Sequence, residues 1–307
     1  MNSLDESVAQ LKPKDKEPNS VATLTKWIDY AERQIGGQNT GRLAWLVASS
    51  VVVAKLQQVV DERGDARFIL KGGTLLQYRL KLTTRATKDV DGIVRGDIDS
   101  FIHDLDAQLR EQWGPISFTR SEVEEIRVPS KLINPRRFYV NLSLRGKLWR
   151  KVKIEISPDE GKAGSTFESF TPPSLSGFGL PTPDALVGLQ LSYQVAQKIH
   201  AASDPHNPPE YINERARDLV DLVLLHSMIS ETGHPSIDEL NDAMEDIFDA
   251  RAIEARATGR NPRSLPASIA VYPHWHDDYL KTAQEVGIDL SMEEAASVVN
   301  KWIKTMR

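Results

Sequence analysis

Two aspartates, Asp89 and Asp91, stand one residue apart in a segment with the pattern of a β-strand. Because side chains alternate across a strand, both carboxylates point to one face while Val90 points to the other. Two carboxylates held this close repel each other unless a cation lies between them. A Mg²⁺ ion bound by carboxylates and substrate phosphates is the usual solution, so the pair predicts metal-dependent phosphoryl chemistry.

A glycine turn lies one predicted helix upstream of the aspartates. Gly72, Gly73 and Thr74 follow the short apolar strand 68–70 and the basic residue Lys71. Backbone N–H groups at the beginning of a helix, with the helix dipole behind them, bind phosphate, and a threonine would add a hydroxyl. Most Gly-Gly-Thr segments are only turns. Here the order of strand, glycine turn, helix and acidic strand resembles the layout of a nucleotidyltransferase site.

A third carboxylate is predicted by the segment 151–157, in which apolar and polar residues alternate. If this strand is a neighbour of the aspartate strand, Glu155 lies on the face that displays Asp89 and Asp91. Three convergent carboxylates would hold one or two Mg²⁺ ions and help to activate an attacking hydroxyl. The alternative is a half-exposed sheet with ordinary polar residues on its wet face.

Composition limits the class of protein. At 307 residues and 40% hydrophobic content the chain can bury a sizeable core, and its formal net charge of −5 gives no global signal for nucleic acid. The absence of cysteine excludes disulfides, thiolate metal sites and cysteine nucleophiles. The first twenty residues are polar, and the most apolar stretch, 43–54, is too short to span a bilayer. We expect a cytoplasmic protein without a membrane segment.

The pattern along the chain predicts an α+β protein: a disordered tail at 1–20, N-terminal helices with a catalytic lobe at 21–175, and a helical lobe at 176–307. A loop rich in proline, glycine and serine, at 158–183, marks the lobe boundary. The predicted helices are 22–35, 41–62, 74–81, 98–113, 184–203, 210–229, 236–250, 276–286 and 291–306. The predicted strands are 68–70, 88–95, 116–128, 136–145 and 151–157.

A local concentration of positive charge stands out in this acidic chain. Between residues 131 and 153 there are eight lysines and arginines and no acid. Aromatic side chains between them would offer stacking surfaces for unpaired bases. The alternative is a solvated hairpin whose basic residues pair with the acids of 121–125. The residues that we predict to bind RNA are Arg136, Arg137, Arg150 and Lys151.

The C-terminal half contains a lysine inside an apolar helical stripe, Lys198. Such a lysine is costly unless its ammonium reaches a partner, for example a triphosphate, or snorkels to solvent. In the next helix Asp218 and Asp221, three residues apart, share one face. Acids in this position often only pair with nearby arginines, so both interpretations stay open.

Five segments, taken in order, resemble the AbiEii-type nucleotidyltransferase toxins, the group that includes the MenT toxins. Each segment alone is a weak signal, and the five together cover roughly residues 65–230. A departure from the family pattern is Gly92, which follows the aspartate pair where an apolar residue is common. The matching segments are 71–74 (KGGT), 85–91 (RATKDVD), 153–157 (KIEIS), 194–201 (QVAQKIHA) and 215–222 (RARDLVDL).

The resemblance implies a polymerase-β-like nucleotidyltransferase lobe with a mixed sheet, joined to a helical bundle. Asp89 and Asp91 would bind Mg²⁺, and the turn at 72–74 would hold the phosphates of an NTP. Lys198 would contact the triphosphate. Asp218 would act as a base or position the acceptor.

The resemblance also implies an activity and partners. Some members transfer nucleotides from an NTP to the 3′ acceptor end of tRNA, which blocks aminoacylation and translation. Such toxins are encoded beside an antitoxin, often of winged-helix type, in toxin–antitoxin or abortive-infection pairs that act in phage defence. The alternatives are a protein or small-molecule acceptor, and an inactive relative that binds nucleotide or a partner protein. The choice of NTP and tRNA and the roles of Glu155 and Asp221 stay open.

Overall fold

The computed structural model describes residues 8–35, 41–80 and 85–306. Their packing divides the chain into two units. The first contains the residues up to 128 together with 133–159 and 167–189, and the second contains 129–132, 160–166 and the residues from 190 onward. The boundary predicted between residues 175 and 176 lies within the first unit.

The first unit is built on a mixed β-sheet. Its strands, within the described residues, are β1 (Phe68–Lys71), β2 (Asp89–Val94), β3 (Ile116–Arg120), β4 (Glu124–Glu125), β5 (Arg136–Leu144), β6 (Lys147–Pro158), β7 (Phe167–Phe170) and β8 (Leu186–Leu189). They are ordered β3-β5-β6-β2-β1-β8-β7, with β4 also pairing with β5. The pairs β2–β6 and β1–β8 are parallel and the other pairs are antiparallel.

Helices supply the apolar partners of this sheet. They are α1 (Val21–Gln34), α2 (Arg42–Gln57), α3 (Gly72–Arg79) and α4 (Ile98–Gln108). Helix α2 is apolar on nearly all sides and is buried along almost its whole length, as expected of a helix without a polar face. Helix α1 is amphipathic, and its N-cap is Ser20, whose hydroxyl accepts a hydrogen bond from the Thr23 N–H at 3.1 Å.

The N-terminal segment contains residues packed in the first unit. Val8 is 1% exposed, and the Lys14 N–H donates to the Ser176 carbonyl at 3.0 Å. Residues 8–20 of the predicted tail are therefore held by packing and hydrogen bonds. Residues 1–7 of that tail, and the end predicted at residue 81 for the helix after the glycine turn, lie outside the described residues.

Two strands lie where the sequence predicts a loop and the beginning of a helix. Residues 158–183 contain β7, and β8 occupies 186–189, so the helix predicted at 184–203 begins only at Leu191. Strand β8 pairs with β1 at Gly188, where an added Cβ would lie 2.5 Å from a methyl group of Leu75. The prediction was wrong here because periodicity cannot distinguish a short apolar strand from a helical turn. Pairing with β7 along the whole strand and with β1 at Gly188 decides the outcome.

The second unit is helical. Its helices are α5 (Leu191–Ala202), α6 (Ala216–Thr232), α7 (Ile237–Ala257), α8 (His276–Val286) and α9 (Met292–Ile303). Capping boxes begin α7 and α9, with Ser236 and Ser291 as the N-caps. The predicted fold class, an α+β chain with a mixed sheet and a helical C-terminal part, is confirmed. Within the described ranges, none of the helices combines the length and apolar character that a membrane span requires.

A buried histidine lies among the arginines of the second unit. His200 is 8% exposed, and its Nδ1 lies 2.9 Å from a nitrogen of Arg251 and also contacts Arg263. Burial, followed by the positive charges of the two arginines, lowers the pKa of His200 to about 2. Arg251 in turn donates to Glu160 at 2.9 and 2.7 Å. His200 is therefore neutral in the folded chain at ordinary pH.

We expect His200 to make folding sensitive to mild acid. Below about pH 6.5 the unfolded chain binds a proton at this histidine that the folded chain does not bind. The free energy of unfolding should therefore fall as the pH decreases from 6.5, by up to about 1.4 kcal/mol per pH unit. Urea unfolding of the wild type and of His200→Gln at several pH values from 7.5 to 5 measures this slope. A variant that loses stability as steeply as the wild type contradicts the prediction.

Candidate active site

The two aspartates of β2 lie on one face of the sheet. Val90 between them is buried on the other face. The parallel register of β2 and β6 aligns Asp89 with Lys153 and Asp91 with Glu155. The sheet therefore places three carboxylates, from residues more than sixty positions apart in the chain, on one surface.

A lysine lies between these carboxylates. The Nζ atom of Lys153 is 2.9 Å from Asp89 Oδ2 and 3.2 Å from Glu155 Oε1. Arg137, on β5, donates to the same Glu155 oxygen at 2.9 and 2.8 Å. Burial alone would raise the pKa of Glu155, but the hydrogen bonds from Arg137 and Lys153 outweigh it and the pKa is lowered. Glu155 is therefore an ionised anchor for two cations.

This geometry gives Glu155 two cationic partners that the sequence did not predict. Its carboxylate is engaged by Arg137 and Lys153. In the part of the chain that the structure describes, no three acidic, histidine or cysteine side chains form a group that could hold a metal ion. The metal-ligand roles of Asp89, Asp91 and Glu155 stay predictions.

Asp91 is the most perturbed carboxyl group of the site. Burial is the largest cause that raises its pKa to about 6, and the negative charges of Glu155 and Asp89 add to it, against the opposing charges of Lys71 and Lys153. The ionised carboxylate therefore lacks full compensation from the protein. Two carboxylates on one strand face provide the hard oxygen ligands that fit a Mg²⁺ ion.

The glycine turn lies directly against Asp91. Gly72 has φ +69°, and an added Cβ would overlap Oδ2 of Asp91 and lie 3.0 Å from its Cβ. At Gly73 an added Cβ would lie 3.1 Å from the hydroxyl of Thr87. The lack of side chains lets α3 begin beside the carboxylates, so its N–H groups and the positive end of its dipole face the same region.

Two neighbouring side chains hold the strands of the site together. Thr74 is buried and its hydroxyl donates to the Asp89 carbonyl at 2.7 Å, so its proton is committed to β2. Thr74 therefore positions the aspartate strand, whereas the sequence suggested a hydroxyl for phosphate. Lys71, which is aligned with Asp91, donates to the Ser157 hydroxyl at 2.7 Å and so joins β1 to β6.

Gly92 has a steric explanation. A Cβ at this position would overlap the Phe68 ring, with one ring carbon, Cδ2, at 2.8 Å. Phe68 in turn stacks on Phe101 of α4, with ring centroids 6.4 Å apart. The departure from the family pattern is therefore matched by an aromatic ring that fills the space of the missing side chain.

Sequence reasoning missed the part that Lys153 and Arg137 play in the site. The signal was present for Lys153, because alternation places it on the same strand face as Glu155. For Arg137 the sequence pointed to RNA. Its contact with Glu155 depends on the antiparallel register of β5 and β6, which aligns the two residues.

The predicted RNA-binding residues fall into two groups. Arg136 lies 3.3 Å from a carboxylate oxygen of Glu125 and 3.8 Å from one of Asp99, and Arg137 is bound to Glu155. The Arg136–Glu125 pair agrees with the alternative that basic residues of the hairpin pair with the acids of 121–125, whereas the partner of Arg137 lies outside that range. Arg150 and Lys151 lie further along the hairpin, and Lys151 Nζ is 3.9 Å from the centroid of the Tyr139 ring.

In the second unit Lys198 has two acidic partners. Its Nζ atom lies 2.7 Å from Asp218 Oδ1 and 2.7 Å from Asp221 Oδ2. Asp221 is fully buried, so it balances the lysine charge within the helical core, whereas Arg215 approaches Asp218 at 3.6 Å. The nucleotide contact of Lys198 and the catalytic role of Asp218 stay predictions.

Residues 55–300 match the family model described as the nucleotidyl transferase AbiEii toxin of type IV toxin–antitoxin systems. The chain belongs to this family. The match contains the glycine turn, the aspartate pair, Lys198 and the acids of α6, and it confirms the resemblance drawn from the five segments. Membership makes the chain a nucleotidyltransferase toxin of a type IV toxin–antitoxin system.

Solved structures with similarity to this AbiEii family member are distant in sequence. The nucleotidyltransferase toxin MenT4 from Mycobacterium tuberculosis H37Rv is 16% identical, with 94% of this chain and 99% of that chain covered and a TM-score of 0.49. An antigenic nucleotidyltransferase-like protein from Paracoccidioides brasiliensis is also 16% identical, with 71% and 94% covered and a TM-score of 0.34. No curated protein matches the chain.

The close approach of Gly72 to Asp91 predicts an unusually damaging Gly72→Ala change. Gly64→Ala is the matched control, because Gly64 has φ +84° and open space around it. Both changes should lower the free energy of unfolding by about 1–2 kcal/mol, because alanine is strained in the left-handed conformation. Gly72→Ala should lose a further 1–3 kcal/mol or so of unfolding free energy, because the new methyl group displaces the Asp91 carboxylate. Urea unfolding measures both, and equal losses would contradict the prediction.

Proposed function

We propose that this chain is a Mg²⁺-dependent nucleotidyltransferase that adds nucleotides from an NTP to the 3′ acceptor end of tRNA and so blocks translation. The observation that carries the proposal is the aspartate pair beside the glycine turn, in a member of a nucleotidyltransferase toxin family. The choice of tRNA is supported by the resemblance to toxins that act on it and by the basic residues of the β5–β6 hairpin.

Asp89 and Asp91 are the proposed ligands of the metal. Bound Mg²⁺ would neutralise charge on the NTP phosphates and favour ionisation of an attacking hydroxyl. Lys153 lies against Asp89, so this carboxylate is already held in place by a cation in the protein itself. Glu155 keeps Lys153 and Arg137 in position from the neighbouring strand.

The beginning of α3 is the proposed site for the phosphates. The backbone N–H groups at residues 72–74 and the positive end of the helix dipole favour anionic oxygens. Thr74 holds the turn against β2 through the Asp89 carbonyl, and Lys71 adds positive charge opposite Asp91. These residues would orient the NTP with its α-phosphorus near the aspartates.

The proposed reaction is an in-line displacement. The 3′ oxygen of the acceptor forms a bond to the α-phosphorus while the bond from that phosphorus to the bridging oxygen of the β-phosphate breaks. Pyrophosphate leaves with the electron pair of the broken bond, and the hydroxyl proton passes to a base. The resemblance supplies Asp218 as the base or as the residue that positions the acceptor, and Lys198 as a triphosphate contact.

The family also supports proposals about partners. Type IV toxin–antitoxin systems pair a toxin with an antitoxin, and we propose an antitoxin of winged-helix type for this chain. A cytoplasmic location is proposed with it, because tRNA and NTPs are present there. A role in abortive infection belongs to the same proposal.

The central test is labelling of tRNA. Purified protein is incubated with total tRNA, Mg²⁺ and each α-³²P-labelled NTP in turn, and the products are separated on a denaturing gel. We expect a labelled tRNA band with at least one NTP and its loss when EDTA removes the metal. A labelled protein band in place of labelled tRNA would move the acceptor to a protein side chain.

The Asp91→Asn variant separates chemistry from folding. We expect it to abolish labelling of tRNA while its melting temperature stays equal to, or rises above, that of the wild type. The reason is that burial disfavours the ionised Asp91 carboxylate, so its removal relieves a cost. Asp277→Asn, at a fully exposed carboxylate in the second unit, is the matched control and should leave labelling unchanged. A folded Asp91→Asn protein with full activity would overturn the proposed site.

A further inference from the structure

A groove lies in the first unit between α1 and the β5–β6 hairpin. Two adjacent hollows, of about 560 and 330 Å³, share lining residues on α1, among them Thr25 and Asp29. Strand β6 supplies the opposite wall, with Lys147 in the first hollow and Trp149 in the second. Both walls belong to one packed unit, so the groove is part of its surface.

The groove is strongly basic. It contains a single carboxylate, Asp29, and none of its cations pairs with an acidic side chain among the described residues. Such unmatched charge in a net-acidic chain forms a local electrostatic footprint for a polyanion. This distinguishes the groove from Arg136 and Arg137, whose charges are matched by acids. The cations that line the groove are Lys26, Arg33, Lys147, Arg150 and Lys151.

An aromatic ring lies among these cations. Trp149 is half-buried and lines the second hollow beside Arg150 and Lys151. Aromatic side chains next to positive charge provide stacking surfaces for unpaired bases. Lys151 Nζ lies over the ring of Tyr139, which is aligned with Lys153 on the face of the aspartates.

Strand β6 connects the groove to the aspartate site. Lys151 and Glu155 lie on the same strand face, four residues apart, which is roughly 13 Å along an extended strand. Asp91 is aligned with Glu155 on the neighbouring strand. Lys147 and Arg150 are aligned with Leu144 and Leu142 on the other face of the hairpin, so Lys151 is the groove cation of β6 that lies on the face of the aspartates.

We propose that this groove binds the sugar–phosphate backbone of the RNA acceptor, a short distance upstream of its 3′ end. The inference rests on the proposed function and adds three residues to the RNA-binding surface: Lys26, Arg33 and Lys147. The cations contact phosphates and Trp149 stacks on a base. An acidic protein segment is the rival occupant, but the aromatic ring among the cations favours RNA.

The test neutralises the three added cations together. The variant is Lys26→Gln/Arg33→Gln/Lys147→Gln. All three original side chains are exposed, so the substitutions should leave folding unchanged. Binding of fluorescently labelled total tRNA is measured by anisotropy over a series of salt concentrations. We expect weaker binding and a salt dependence of log K that is shallower by about 0.7 per lost phosphate contact, or about 2 for three contacts. The charge-matched control, Lys281→Gln/Lys301→Gln/Lys304→Gln, alters exposed lysines of the second unit and should bind as the wild type does.

The outcomes separate this inference from the proposed function. If the wild type labels tRNA and the groove variant binds tRNA with unchanged affinity and salt slope, the groove is overturned and the function stands. If the wild type binds tRNA through the groove but labels none, the groove stands and the function is overturned. A groove variant that keeps tRNA binding but loses affinity for a polyglutamate peptide would assign the groove to an acidic protein and overturn the proposal for RNA.

Discussion

The repulsion between carboxylates on one face of the sheet is the constraint on which the site depends. Asp89, Asp91 and Glu155 are brought together by the parallel register of β2 and β6. Lys153 relieves the repulsion because it contacts both Asp89 and Glu155. Asp91 receives less compensation, and burial raises its pKa. Asp91 is thus the carboxyl group of the site whose ionised form is disfavoured by burial.

Close packing between backbone segments keeps this charge in place. Gly72 allows the beginning of α3 to approach Asp91, and Gly92 allows β2 to approach the ring of Phe68. Neither position has space for a methyl group. Gly72 lies against a carboxylate of the site, and Gly92 lies against an aromatic ring of the core. The site therefore depends on the same close contacts that stabilise the unit, while burial of the Asp91 carboxylate opposes stability.

Family membership extends over both units, because the matching residues run from 55 to 300. The second unit has its own charge arrangement, in which the buried Asp221 and the neighbouring Asp218 both contact Lys198. A lysine with two carboxylate partners inside a helical core is held in one orientation, since breaking such a buried pair is costly. Basic residues of the hairpin also differ in their partners. Arg136 and Arg137 pair with acids, whereas Arg150 and Lys151 line the groove.

The sequence by itself determined the features that are local and periodic: the shared face of Asp89 and Asp91, the glycine turn before a helix, the α+β class and the ordered family motifs. Tertiary structure alone decided which distant residues meet. Strand β8 exists because Leu186–Leu189 pairs with β7 and, at Gly188, with β1. Glu155 is an anchor because β5 aligns Arg137 with it. Alternation specifies the face on which a side chain lies, whereas its partner depends on the register between strands far apart in the chain.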